Sequence, residues 1–406
     1  MNYSVRNVCG KIKNEKISVS VAGSKSITAR AMLLAAIAEG ESTLYNCGLS
    51  DDCETFLNCL NCLGIKTETK GDTVKMRGCG GRLKSTSADI DVGSAGTAAR
   101  FLPAFLAFQK GTYTLTCSEQ MKRRPVAPLI SALKSLGAKF TFLGEENSYP
   151  FVIEGAETPA DEISVDIGKS SQFLSALLIS AACAEKPVKI FVVGDHGLDY
   201  VNMTLDMMWS FGVTAEEGEN YYTVHGAYSA KKYDIEPDYS AASYFYAMNK
   251  ILGTQISVKG VMPHSMQGDY KFIKLLKDFD GGTIDMRAFS DQALTLAAIA
   301  PYFSEPTEIV GVAHIRGQEC DRISAIVCNL TAMGVRCEER EDGVKIYPSQ
   351  PQKALIKTFG DHRVAMAFAV TGLRTDGIVI EDCEVCSKTF KDYFKILDYI
   401  CGELTN

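Results

Sequence analysis

No stretch of the 406-residue chain is long and apolar enough to span a membrane. The richest runs, SALLISAACA and ALTLAAIAPYF, are short and read as core helices. The N-terminal MNYSVRNVCGKIKNEK lacks the apolar core of a secretory leader, so a cytoplasmic protein is expected. A basic excess is missing too. The formal net charge is −7 and no tail or stripe of Lys and Arg offsets it, which argues against nucleic acid or a membrane as partner. Any anion must therefore be held by local clusters of cations. Also absent is the nucleotide-binding phosphate loop, G-x-x-x-x-G-K-[ST]. Lys25 follows Ser24 rather than glycine, and the run Gly168-Lys169-Ser170 has Ile163 where the first glycine is required.

Cysteine, in contrast, is plentiful, at 14 residues. Cys59/Cys62 and Cys383/Cys386 have the Cys-x-x-Cys spacing of zinc sites. The first pair lies in DDCETFLNCLNCLG, an amphipathic helix pattern in which cysteine serves as a small apolar residue. The second lies far away in sequence. No metal site is expected, and the reduced thiols of a cytosol account for the number.

The chain repeats itself. Apolar helical segments ending in glycine and followed by extended residues recur at Gly64, Gly137, Gly212, Gly281, Gly334 and Gly402. The interval is roughly 70 residues, with one shorter step before Gly334. Such units mix helix and strand and are too bulky for a thin solenoid. Three in each of two domains suits the length. The middle seam is placed in AKKYDIEPDYSAASYF and another near Val19 to Gly23, so that residues 1–19 pack with the C-terminal half and the active site lies between the domains.

The chemistry gathers at helix starts. In AGSKSITAR, Gly23 permits close backbone approach, the following helix offers free N–H groups, Lys25 adds charge, and Arg30 shares its face. IGKSSQFLSALL repeats the design with Ser170, Ser171 and Gln172. Taken singly, Ser26 and Ser170 are explained as helix caps. The company they keep changes that reading. DVGSAGTAARFL, MKRRPVAPL, RGQECDRIS, FGDHRVAMAFA and CSKTFKDYF each place cations beside small residues or turns. In RGQECDRIS, the spacing puts Glu319 and Arg322 on one helical face. Arg grips phosphates and carboxylates bidentately and Lys acts as a point charge, so the set suits small substrates with several negative charges.

In order along nearly the whole chain, GSKSITAR, SAGTAAR, MKRRP, SSQF, SMQGD, SDQALT, ECDR, GDHRVAMAFA and KTFKDYF resemble the 5-enolpyruvylshikimate-3-phosphate (EPSP) synthase family. The resemblance implies an α/β fold, an inside-out α/β barrel of two domains, each with three copies of a βαβαββ unit. Residues 20–237 would form the N-terminal, shikimate 3-phosphate domain, and residues 1–19 with 238–406 the other. It implies transfer of the enolpyruvyl group of phosphoenolpyruvate to the 5-hydroxyl of shikimate 3-phosphate. No cofactor and no metal are implied, and a monomer is expected.

The same resemblance implies roles. Lys25 touches both substrates, and Asp291 and Glu319 are the proton-transfer carboxylates. Ser26, Arg30, Ser170, Ser171, Gln172, Tyr200, Asp291, His314 and Gln318 bind shikimate 3-phosphate. Gly96, Arg124, Gln172, Arg322, Arg363 and Lys388 bind phosphoenolpyruvate with Lys25. The alternative for Asp291 is a helix cap in FSDQALT. Glyphosate sensitivity follows from Gly96, and domain closure from ligand groups in both halves. The chain departs from the family pattern at Ser94, Gly197 and His314, and at Gln318, where Lys is usual. KDFDGGTIDMRAFSDQ is short, as if a strand or hairpin of the fourth unit were trimmed. Cys117 stands near the position of a loop cysteine in a sister enolpyruvyl transferase family, but its spacing to Arg124 differs, and an ordinary thiol is expected.

Overall fold

A computed structural model describes all 406 residues. Two compact units emerge: Gly23–Glu236, and Pro237–Asn406 with Met1–Ala22.

Within Gly23–Glu236 one supersecondary unit is used three times. Its clearest copy opens with strand Glu162–Asp166, parallel to Val188–Val193. A parallel pair needs a crossover, and helix Gln172–Ala181 supplies it. Helix Leu198–Ser210 then leads to the hairpin Ala215–Glu217 and Tyr221–Val224, whose second strand pairs antiparallel with Val188–Val193. Strands Ser87–Asp91, Thr112–Thr116, Lys139–Phe142 and Phe151–Glu154 repeat the order. In the remaining copy the opening strand is Lys232–Asp234, parallel to Glu41–Tyr45. The unit thus closes on itself, its last strand completing its first sheet. The crossover helices Ala98–Ala107 and Gln172–Ala181 are apolar almost all round because they form the core.

The other unit has one complete copy, with strands Gly282–Asp285, Thr307–Val310, Cys337–Arg340 and Gly343–Ile346. A second copy pairs Ala354–Ile356 with Ile378–Ile380 and borrows Tyr3–Ser4 as its antiparallel strand. The third is reduced. Lys16–Val19 lies parallel to Gln255–Val258, and after helix Tyr270–Asp278 the chain enters Gly282–Asp285 with no hairpin between. This is the trimmed segment seen in KDFDGGTIDMRAFSDQ.

The glycine stops are partly as read. Gly137 caps its helix with a left-handed φ of 109°, and Gly64, Gly212 and Gly334 follow helix ends in the same region. Two differ. Helix Tyr270–Asp278 ends on extended Phe279, and Gly281 instead stands just before the next strand, Gly282–Asp285. Gly402 lies inside helix Tyr393–Thr405 and no strand follows it.

Candidate active site

Lys25, Ser26, Arg30, Gly96, Arg124, Ser170, Ser171, Gln172 and Tyr200 fall in the unit Gly23–Glu236. Gly23 has a packing role within that unit. A Cβ there would stand 1.8 Å from the Asn46 carbonyl oxygen, so the loop lies directly on the segment that leads to helix Asp51–Cys62. That brings Asp52, which is buried, to 3.4 Å from Lys25 Nζ. Ser24 caps helix Lys25–Ile37 by accepting from the Ile27 N–H, so Ser26 is not the cap. In IGKSSQF, Ser170 Oγ accepts from the Gln172 N–H, while Ser171 stands at the N-cap without a side-chain cap bond.

Arg30 is buried where three of these helices meet. Its Nε donates to Thr204 Oγ1 at 2.7 Å, Nη1 to Ser26 O at 3.0 Å, and Nη2 to Ser175 Oγ and Tyr200 O, each at 3.3 Å. The guanidinium also lies 5.5 Å from the Phe101 ring centre and 6.0 Å from that of Tyr200. All four acceptors are neutral, and burial lowers its pKa to about 10, only partly offset by Tyr200. A buried cation with neutral acceptors creates a positive field suited to an anion. Gly96 and Arg124 are neighbours: a Cβ at Gly96 would meet Arg124 Nη1 at 3.0 Å. Arg100 links the two segments, donating to Gly96 O at 3.3 Å and Pro125 O at 2.8 Å.

Asp291, His314, Gln318, Glu319, Arg322, Arg363 and Lys388 fall in the other unit, where Asp291, Gln318, Glu319, Arg322, Arg363 and Lys388 are joined in one network. Buried Arg322 is its hub. Its Nη1 donates to Asp291 Oδ1 at 3.0 Å and to Gln318 Oε1; its Nη2 donates to Glu319 Oε2 at 3.0 Å; its Nε donates to Asp361 Oδ2 at 2.7 Å. Burial opposes the charge, but Asp361, Glu319 and Asp291 outweigh it and hold the pKa above the ordinary arginine value. Arg363 Nη2 reaches Asp291 Oδ2 at 2.8 Å, and Lys388 Nζ lies 3.8 Å from Glu319 Oε1. His314 Nε2 meets Ser290 Oγ at 2.8 Å. Cations interleaved with carboxylates can hold an anion and move protons beside it.

Two local readings change. The helix that carries Arg322 begins at Arg322, capped by Asp321, so Glu319 reaches Arg322 from the preceding turn and not from a shared helical face. Asp291 precedes Gln292, which holds the N-cap position of helix Ala293–Ile299, and its carboxylate pairs with Arg322 and Arg363.

Three further residues were not singled out from sequence, Asp52, Asp269 and Ser240, and Asp361 was read only as opening its helix with His362 and Arg363. Asp361 gave the available signal, an acid opening the helix that carries Arg363, but its reach to Arg322 crosses 39 positions. Cys117 is an ordinary thiol in its setting, since burial pushes it up to about 11. No group of three or more His, Cys, Asp or Glu is placed to hold a metal ion. No helix is long and apolar enough to cross a membrane.

Comparison with known proteins follows the same outline. The family model described as EPSP synthase (3-phosphoshikimate 1-carboxyvinyltransferase) matches residues 10–284 and 277–397. Proteins named 3-phosphoshikimate 1-carboxyvinyltransferase are similar throughout. That of Nostoc sp. is 40% identical over 93% of this chain and 95% of its own. That of Trichormus variabilis is 39% identical over 93% and 94%, and one from Escherichia coli is 36% identical over 94% and 95%. Among solved structures, EPSP synthase from Acinetobacter baumannii superposes with a TM-score of 0.82 at 23% identity, covering 98% of both chains. The enolpyruvyl transferase NikO from Streptomyces tendae gives 0.70 at 14% identity, over 98% and 96%. At those identities the two structures speak for the fold.

Proposed function

The chain belongs to the EPSP synthase family, and from that premise we propose how its residues carry the reaction. Its activity is that of a 3-phosphoshikimate 1-carboxyvinyltransferase in the shikimate pathway. The enolpyruvyl group of phosphoenolpyruvate passes to the 5-hydroxyl of shikimate 3-phosphate, and phosphate leaves.

Shikimate 3-phosphate is held by Ser26, Arg30, Ser170, Ser171, Gln172 and Tyr200, with His314 and Gln318. Phosphoenolpyruvate is held by Gly96, Arg124, Arg322, Arg363 and Lys388, and Lys25 touches both. Glu319 delivers a proton to the methylene carbon, which leaves C2 electron-poor. Asp291 accepts the proton of the 5-hydroxyl as its oxygen bonds to C2, giving a tetrahedral ketal. A proton then leaves the new methyl group, the C2–O bond to phosphate breaks, and the double bond returns.

The observation that carries this reading is the sharing of Arg322 by Asp291 and Glu319. An arriving phosphate or carboxylate competes for that guanidinium. The carboxylates it displaces lose a countercharge, and their affinity for protons rises when the chemistry needs them as acid and base. Phosphate release in a coupled assay tests the function. We expect release only when both substrates are present. No turnover from an enzyme that still binds shikimate 3-phosphate would overturn it.

A further inference from the structure

Behind Asp291 lies a second carboxylate to which the reaction scheme above gives no part. Asp269 is buried at the start of helix Tyr270–Asp278. Its Oδ2 accepts from Ser240 Oγ at 2.6 Å, and its Oδ1 accepts from Gln292 Nε2 at 3.2 Å. Both partners lead to the site. Ser240 Oγ also accepts from Arg363 Nη2 at 3.5 Å, the same nitrogen that holds Asp291 Oδ2. Gln292 is the residue after Asp291 and is fixed on its other side by Ser243 and Thr295.

We propose that Asp269 is a positioning residue for the reaction: through Ser240 and Gln292 it sets how Arg363 meets Asp291, and its negative charge keeps Asp291 basic enough to take the hydroxyl proton. The inference rests on the functional reading above. Two carboxylates around one arginine cannot both shed their charge cost, so each raises the other's proton affinity. The charged and titratable groups acting on Asp269 are Asp291, from segment Arg287–Gln292, and Arg363, from helix His362–Gly372. Burial first and Asp291 second push Asp269 up to about 6, against the pull of Arg363, Ser240 and Gln292.

The direction has a consequence for stability. A folded-state pKa above the unfolded value means that the folded chain binds the proton more tightly. The stability associated with Asp269 is therefore fully present below the ordinary aspartate pKa of about 4 and is lost as pH rises from there through about 6. At neutral pH the ionised carboxylate burdens the fold and serves the site.

Asp269→Asn tests this. The amide can keep the bond from Gln292 and donate to Ser240, as the neutral acid would, without charge. We expect a higher melting temperature than wild type at pH 7.5, a difference that shrinks through pH 5 and is gone only below about pH 4, the ordinary aspartate range. We also expect kcat to fall roughly tenfold above pH 7, the weight of about one lost interaction at the reacting centre. The wild-type rise in activity through about pH 6 should be missing, and Asp269→Glu should recover part of it. A variant that melts lower and loses activity equally at every pH would show a merely structural residue and overturn the proposal. So would one with the wild-type profile and rate. Wild-type turnover in the same assay reports on the functional reading separately.

Discussion

At the scale of single residues, two glycines carry information that their letters hide. Gly197 is one of the positions where the chain departs from the family pattern, and its letter alone says only that a side chain is lacking. The structure gives a different meaning: φ is 66°, and a Cβ there would stand 2.6 Å from Ser171 Oγ. The space is already taken by that hydroxyl. Gly96 is tight against Arg124, with its absent Cβ only 3.0–3.2 Å from the two terminal nitrogens. Gly96→Ala must push that guanidinium aside. We expect KM for phosphoenolpyruvate to rise roughly fivefold, about 1 kcal/mol, with kcat less affected. Inhibition by glyphosate should weaken more than substrate binding does. Steady-state kinetics of the purified variant, with and without glyphosate, measure both. The residues that the sequence concealed share one physical cause. Asp269, Asp361 and Ser240 look like ordinary helix openers, and their partners lie tens of positions away. Glu319 and Arg322 were legible as a pair because they are neighbours in the chain, although the helical face that suggested it does not exist.

At the scale of elements, the reduced repeat poses a problem that the fold answers locally. Without its hairpin, strand Gln255–Val258 has an edge with no partner strand. Unpaired edges invite other chains. Asn249, on helix Tyr239–Leu252, closes this one. Its Oδ1 accepts from the Ile256 N–H at 2.7 Å, and its Nδ2 donates to the Ile256 carbonyl at 2.8 Å, so a side-chain amide replaces the missing peptide. Asn249→Leu removes both bonds. The expected loss is about 1–3 kcal/mol, from leaving buried backbone groups unsatisfied. Urea unfolding should show that loss, and light scattering should show self-association that grows with concentration. An unchanged midpoint and a monodisperse variant would contradict this role. The repeats themselves were readable because a helix stop followed by a strand leaves a local mark in glycine. Gly402 misled for the same reason: glycine is permitted within a helix as well as after one. Borrowed strands leave no such mark. Tyr3–Ser4 and Lys232–Asp234 join sheets whose other members lie far off in sequence, and only the fold reveals those pairings.

At the scale of the whole molecule, an acidic chain builds a cationic neighbourhood in each of its two units. One centres on Arg30, buried among neutral acceptors; the other on Arg322, buried among carboxylates. The contrast fits a division of labour in which the first grips an anion and the second grips an anion while moving protons. Ordered motifs made the membership of both sets legible. The balance of charge inside each was not, because it depends on burial and on which oxygen faces which nitrogen. The central claim is that the methylene carbon of phosphoenolpyruvate is protonated and later deprotonated on the way to product. The reaction run in deuterated water tests it most directly, with the enol ether product examined by proton NMR. The account predicts solvent deuterium in the product methylene whenever shikimate 3-phosphate is present. A product formed with its methylene protons wholly retained would contradict it.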